Sequence, residues 1–94
     1  MPPYLLALRL GGRRVLVVGG GRVAQRRVPA LLAAGARVVL VAPEVTPSLE
    51  DLASGDGDLT WLRRPYRKGD CDGAWLVQAV TDDAKVNGQV VAEA

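Results

Sequence analysis

The chain has 94 residues, 49% of them hydrophobic, with 12 Lys and Arg against 10 Asp and Glu for a net charge of +2. That composition suits one small packed domain and excludes a disordered chain. It has no His and one Cys, which excludes histidine catalysis, a histidine metal site and an internal disulfide, and fits a reducing, cytoplasmic setting.

The surplus positive charge is small and dispersed, too weak for a nucleic-acid partner. The apolar runs are too short for a membrane span. The opening MPPYLLALRL lacks the basic start and long apolar stretch of a secretion signal.

Residues 14–18 (RVLVV) read as a short strand whose continuous apolar character predicts burial on both faces, as in a parallel sheet. Glycines 19–21 follow, and a helix fits 22–34, with Val23, Ala24, Val28, Leu31 and Leu32 on or near one face. Pro29 falls inside it and removes a backbone donor. Gly35 sits where a glycine closes a helix C-terminus. A second buried strand is predicted at 37–42, ended by Pro43. Thr46 then serves as N-cap and Pro47 as first residue of a short helix stopping near Gly55. Residues 59–63 form a third strand, 64–72 a polar connection, 74–80 a fourth strand, and about 83–94 a last helix capped by Thr81 or Asp82.

Strands alternating with helices predict an α/β, Rossmann-like parallel sheet of about four strands in the order 3-2-1-4, flanked by helices. Residues 1–94 are expected to form a single dinucleotide-binding domain. The chain stops without a closing strand, so the expectation is the N-terminal fragment of a longer protein.

Gly19-Gly20-Gly21-Arg22-Val23-Ala24 fits the pattern G-x-G-x-x-A between a strand and a helix, the context in which that pattern binds dinucleotides. Gly19 permits the tight turn, Gly21 lets a pyrophosphate reach the backbone, and Ala24 lets the helix pack closely on the sheet. The helix N-terminus supplies N–H groups for the phosphates. Glu44, about 20 residues on and just past Pro43, is placed to hold a ribose hydroxyl. No Arg or Lys follows strand two closely enough to grip a 2′-phosphate, which favours NAD over NADP. The competing reading is a tight turn in an α/β domain that binds nothing.

Other residues carry plainer expectations. Asp82 and Asp83 are either helix-start acids or contacts to ribose or substrate. Arg26 and Arg27 fit a solvated helix face, while Arg22 is a candidate beside a pyrophosphate. Arg63, Arg64, Arg67 and Lys68 form a basic run without the stacking aromatics of a nucleic-acid site. Cys71, flanked by Asp70 and Asp72, reads as inert. Trp61 and Trp75 fall in predicted strands and are expected in the core. No metal-ligand cluster is visible, so no metal site is assigned.

Together, Tyr4 to Leu10 leading into RRVLVVGGGRVAQRR, then LLAAGARVVLVAPE (31–44), LTWLRRPY (59–66) and AWLVQAVTDDAKVNGQV (74–90) resemble the N-terminal domain of siroheme synthase, in the precorrin-2 dehydrogenase and sirohydrochlorin ferrochelatase family. The TDD followed by Val-Asn is more distinctive than the glycine pattern. The resemblance implies oxidation of the tetrapyrrole precorrin-2 to sirohydrochlorin with NAD, often followed by ferrous iron insertion. It implies cofactor contacts at the backbone around Arg22 and Val23 and at Pro43 and Glu44. The loop Thr81 to Asp83 then borders the cofactor cleft. It also implies a homodimer in the full-length protein, through a region beyond this domain. The family's catalytic Asp ends a further strand that this chain does not include, so no catalytic residue is assigned. A rival of another class is a non-catalytic, dinucleotide-sensing regulatory module.

Overall fold

The structure is a computed structural model that describes residues 11–55, 57–81 and 87–88. Four strands, β1 (Arg14–Val18), β2 (Arg37–Val41), β3 (Leu59–Leu62) and β4 (Leu76–Ala79), form one sheet in the order β3-β2-β1-β4. Every pairing is parallel. This is the predicted Rossmann-like α/β order.

The register levels the strand ends. Val18 lies opposite both Val41 and Ala79, and Val41 lies opposite Leu62. The row Leu62–Val41–Val18–Ala79 therefore ends all four strands at one height, and the chain leaves each of them on the same side of the sheet. Ligands of open α/β sheets bind at this carboxyl edge.

Helix α1 (Arg22–Ala33) connects β1 to β2 and runs through Pro29. It closes as Gly35 predicts. Gly35 has φ +84°, its N–H donates to Leu32 O (3.0 Å), and the Ala36 N–H donates to Leu31 O (3.1 Å). Those two bonds satisfy end carbonyls of the helix, and the positive φ is one a side chain resists. Helix α2 (Pro47–Ala53) starts where expected, with Thr46 as N-cap and its hydroxyl accepting from the Leu49 N–H at 3.4 Å.

The first face of the sheet presents Val15, Val17, Val38 and Leu40, all essentially buried under Ala24, Val28 and Leu31 of α1 and Leu49 of α2. The second face presents Leu16, Val18 and Val41. Among the described residues, the cover here is the β3–β4 connection, residues 63–75, which brings Tyr66, Cys71 and Ala74 onto it and carries no helix.

Two expectations need correction. β4 begins at Leu76 rather than Ala74, and Trp75 is not in the core. It is 44% exposed, with the Arg13 guanidinium 5.1 Å from its ring centroid. Its backbone N–H still donates to Arg14 O (2.8 Å), so it abuts the sheet where the connection runs into β4. Trp61 is half-buried against the first-face core, and its indole N–H donates to Ala42 O at 2.9 Å, consistent with a core role. The last predicted helix lies outside the described residues apart from Asn87 and Gly88, as do Asp82 and Asp83.

Candidate functional site

At the carboxyl edge, the three glycines that follow β1 face three different neighbours. Gly19 is buried with φ +124°, and a Cβ there would stand 2.9 Å from Thr81 N and from Val80 C and O. It needs both the backbone freedom of glycine and the absence of a side chain, because the exit of β4 presses on it. Gly20 has no positive φ, but a Cβ there would collide with the Glu44 carbonyl oxygen and stand 2.7 Å from Val45 Cγ1. Its own carbonyl accepts from the Thr46 N–H at 3.0 Å. Gly20 is thus pressed against the turn that leaves β2. A Cβ on Gly21 would meet nothing within 4 Å. That position faces open space.

Gly21 is also the N-cap of α1, with extended backbone and no side-chain bond to the helix end. The first-turn N–H groups have no carbonyl one turn earlier to bond. They combine with the positive end of the helix dipole to favour an anion. The first turn contains no acidic residue to compete for that place.

The exit of β4 is closed by Asn87. Its side-chain oxygen accepts from the Thr81 N–H (3.2 Å) and from the Thr81 hydroxyl (2.7 Å), while its amide nitrogen donates to Thr81 O (2.9 Å). One carboxamide supplies both the donor and the acceptor this needs, which no carboxylate or aliphatic side chain does. This is a physical reason for the TDD…Val-Asn spacing.

On the far side, the β3–β4 connection is held by Arg64, whose guanidinium meets Asp70 through two bonds of 2.8 and 2.7 Å. The Asp70 carboxylate also accepts from the Arg67 N–H at 2.7 Å. The Arg64 bonds, aided by that backbone donor, hold the Asp70 carboxyl below its ordinary pKa against the opposing effect of burial. The same pairing raises Arg64. This ring fixes Pro65 and Tyr66 beside the site, where the Tyr66 hydroxyl lies 3.3 Å from Cys71 Sγ.

These segments enclose a cleft of about 770 Å³ above the ends of β1, β2 and β4. Of the residues singled out in the sequence, Gly19, Gly20, Gly21, Arg22, Val23, Pro43, Glu44 and Thr81 all line it. Ala24 does not. It is fully buried in the first-face core, as its expected role in close helix packing requires. Asp82 lies outside the described residues.

Pro65, Tyr66, Val45 and Thr46 also line the cleft and were not singled out as site residues. The available signal was topological, since every loop that follows a parallel strand gathers at this edge. The glycines, the uncapped helix end and the open face at Gly21 fit a pyrophosphate. Glu44 at the rim fits a ribose.

The family described as NAD(P)-binding matches residues 6–94. Siroheme synthase of Chromobacterium violaceum is 49% identical over 91 residues, covering 97% of this chain and 19% of the relative. Siroheme synthase 3 of Aeromonas hydrophila is 45% identical over 82 residues, covering 87% and 17%. This chain therefore spans less than a fifth of these curated relatives. Among solved structures, SirC, precorrin-2 dehydrogenase, superposes with a TM-score of 0.82 at 34% identity, covering 87% of this chain and 41% of that one. With a match that takes in the glycine turn, both rims of the cleft and nearly the whole sequence, the chain belongs to the NAD(P)-binding family.

Proposed function

We propose that this chain holds NAD across the carboxyl edge of its sheet, as the cofactor domain of an enzyme that oxidises precorrin-2 to sirohydrochlorin. The observation that carries the reading is the placement of Gly21. It opens onto the cleft at an uncapped helix N-terminus, between the exits of β2 and β4. The similarity to siroheme synthases and to a precorrin-2 dehydrogenase supports the substrate class.

Bound there, NAD supplies a hydride acceptor. The residues of this chain bind and orient it. The first-turn N–H groups of α1 hold the pyrophosphate, with the exposed Arg22 beside them. Glu44 accepts from a ribose hydroxyl. Val23, Pro43 and Val45 give the cleft apolar walls that limit water. Thr81, fixed by Asn87, borders the end of the cleft where β4 leaves the sheet. A precorrin carries several carboxylates, and Arg22 is placed for one of them where the cofactor leaves it accessible. The lone Cys71 agrees with work in a reducing cytoplasm.

Calorimetric titration tests the cofactor half. NAD is expected to bind the chain more tightly than NADP, and Gly21→Ala to abolish both by placing a methyl where the pyrophosphate approaches. Binding of neither dinucleotide by the folded chain, or unchanged binding by Gly21→Ala, overturns the reading.

A further inference from the structure

Gly20 occupies the place that G-x-G-x-x-A leaves variable, yet it is more tightly boxed in than Gly21. Its missing Cβ is the space taken by the Glu44 carbonyl and by Val45, and its carbonyl accepts from the Thr46 N–H at 3.0 Å. Its φ lies outside the range that requires glycine, so what excludes a side chain here is this close approach.

The second strand exit is fixed from other sides as well. The Trp61 indole donates to Ala42 O at 2.9 Å, and the Ala42 N–H donates to Leu62 O at 3.2 Å. Trp61 and β3 thus anchor the chain at Ala42, while Pro43 and Glu44 beyond it are exposed, so a side chain at position 20 would be accommodated by the 43–46 turn and not by β2. A methyl group would push the Glu44–Val45 backbone away from the glycine turn and break the Thr46 bond. Glu44 is exposed on the cleft rim, so that displacement moves the acid that, among the described residues, is placed to meet a ribose.

We infer that Gly20 is a specificity-positioning residue: it seats the 43–46 turn against the pyrophosphate loop and so sets where Glu44 meets the ribose, which decides NAD against NADP. This rests on the NAD reading of the cleft. Gly20 itself need touch no cofactor atom. The split of labour among the three glycines follows. Gly19 fits the exit of β4, Gly20 fits the exit of β2, and Gly21 faces the ligand.

The test combines calorimetry with amide hydrogen exchange at Thr46, whose N–H reports the Gly20 contact directly. In the unaltered chain, saturating NAD should slow exchange at Thr46 several-fold, and NADP should slow it less, because coupling between two sites is reciprocal. That measurement does not depend on any variant folding. Gly20→Ala should speed Thr46 exchange and weaken NAD by roughly tenfold or more, the scale of one lost charge-assisted hydrogen bond. NADP binding should fall much less, so the preference for NAD collapses. General loosening of the chain would weaken both cofactors alike and leave their ratio unchanged.

An NAD-bound chain with unaltered Thr46 exchange overturns the inference, as does a folded Gly20→Ala chain that keeps its NAD-to-NADP ratio. In both cases the cofactor reading stands, because NAD still binds. Failure of the unaltered chain to bind either dinucleotide overturns the cofactor reading and this inference with it.

Discussion

On the first face of the sheet, Ala24, Val28, Leu31 and Leu49 descend from two helices onto Val15, Val17, Val38 and Leu40, and water is excluded from all of them. On the second face only Leu16, Val18 and Val41 are buried to that degree, and Val39 of the central strand β2 is half-buried, as are Leu62, Val77 and Ala79 of the edge strands. On the first face, by contrast, the half-buried strand residues, Trp61 and Leu76, lie on the edge strands. The cover on the second face, among the described residues, is an irregular connection held by an ion pair and by a hydroxyl–thiol contact. A helix satisfies its own backbone and delivers a stripe of side chains. A loop must be pinned at points, and it opens at lower cost. The same loop brings Pro65 and Tyr66 to the cleft. Among the described residues, the looser cover therefore also supplies a wall of the cleft, while the helical cover supplies the α1 N-terminus.

The largest expected effects come from truncating the two faces by the same chemistry. Leu40→Ala, at a fully buried position under the helices, should cost about 2–5 kcal/mol in urea unfolding. Leu62→Ala, half-buried under the connection, should cost about 1–2 kcal/mol, in proportion to the smaller apolar area it removes from water. Equal losses would break the comparison, since they would mean the second face is packed as tightly as the first.

Within the glycine turn the contrast is between conformation and space. Gly19→Ala meets both a φ of +124° and the backbone of Val80 and Thr81, and should cost more than about 1 kcal/mol. Gly21→Ala meets nothing nearby and loses only a favourable N-cap, worth no more than about 1 kcal/mol. Thermal unfolding of the two variants in the absence of ligand should rank them in that order. The reverse ranking would mean that the turn relaxes around Gly19.

Asp70→Asn probes the pinning of the loop and has a defined pH signature. The Asp70 carboxyl is held below its ordinary pKa in the folded chain, so its stabilising effect is complete above the unfolded-state pKa. It is lost as the pH falls through the lower folded value. The variant should therefore melt below the parent at neutral pH, and the two should converge in acid. A gap that persists at low pH would assign the loss to packing rather than to the Arg64 pairing. The effect should be smaller than those in the core, since both side chains keep some contact with water.

Much of this arrangement was legible in the sequence, for identifiable reasons. RVLVV and RVVLV are continuous apolar runs bounded by Gly and Pro, which is what strands buried on both faces require. Gly35 and Thr46 mark helix ends through local stereochemistry, independent of the rest of the fold. Trp75 misled because AWLVQAV is apolar at every position but Gln78. Nothing local marks that the connection runs on as far as Trp75, the residue before β4, where the side chain is left partly exposed. The distinct role of Gly20 was hidden for a different reason. Its neighbour is the Glu44–Val45 backbone, brought there by the pairing of β1 with β2, and a backbone contact leaves little trace in residue type. Pro65 and Tyr66 reach the cleft through the level strand ends, a consequence of register rather than of their own sequence.

The smallest effect expected is at Thr46, where two interactions of different kinds meet in one residue. Its hydroxyl caps α2 through a long 3.4 Å bond from the Leu49 N–H, while its own N–H donates to Gly20 at 3.0 Å. Thr46→Ala removes only the first, and a bond of that length belongs at the weak end of the capping range, about 0.5 kcal/mol. Exchange at the Leu49 amide should quicken while the Thr46 amide keeps its protection, because the backbone contact with Gly20 does not depend on the side chain. If both amides quickened together, the cap and the seating of the turn would be one cooperative unit. The helix on the first face would then help to set the rim of the cleft, and the division drawn between the cover that packs and the cover that shapes the site would fail at this residue.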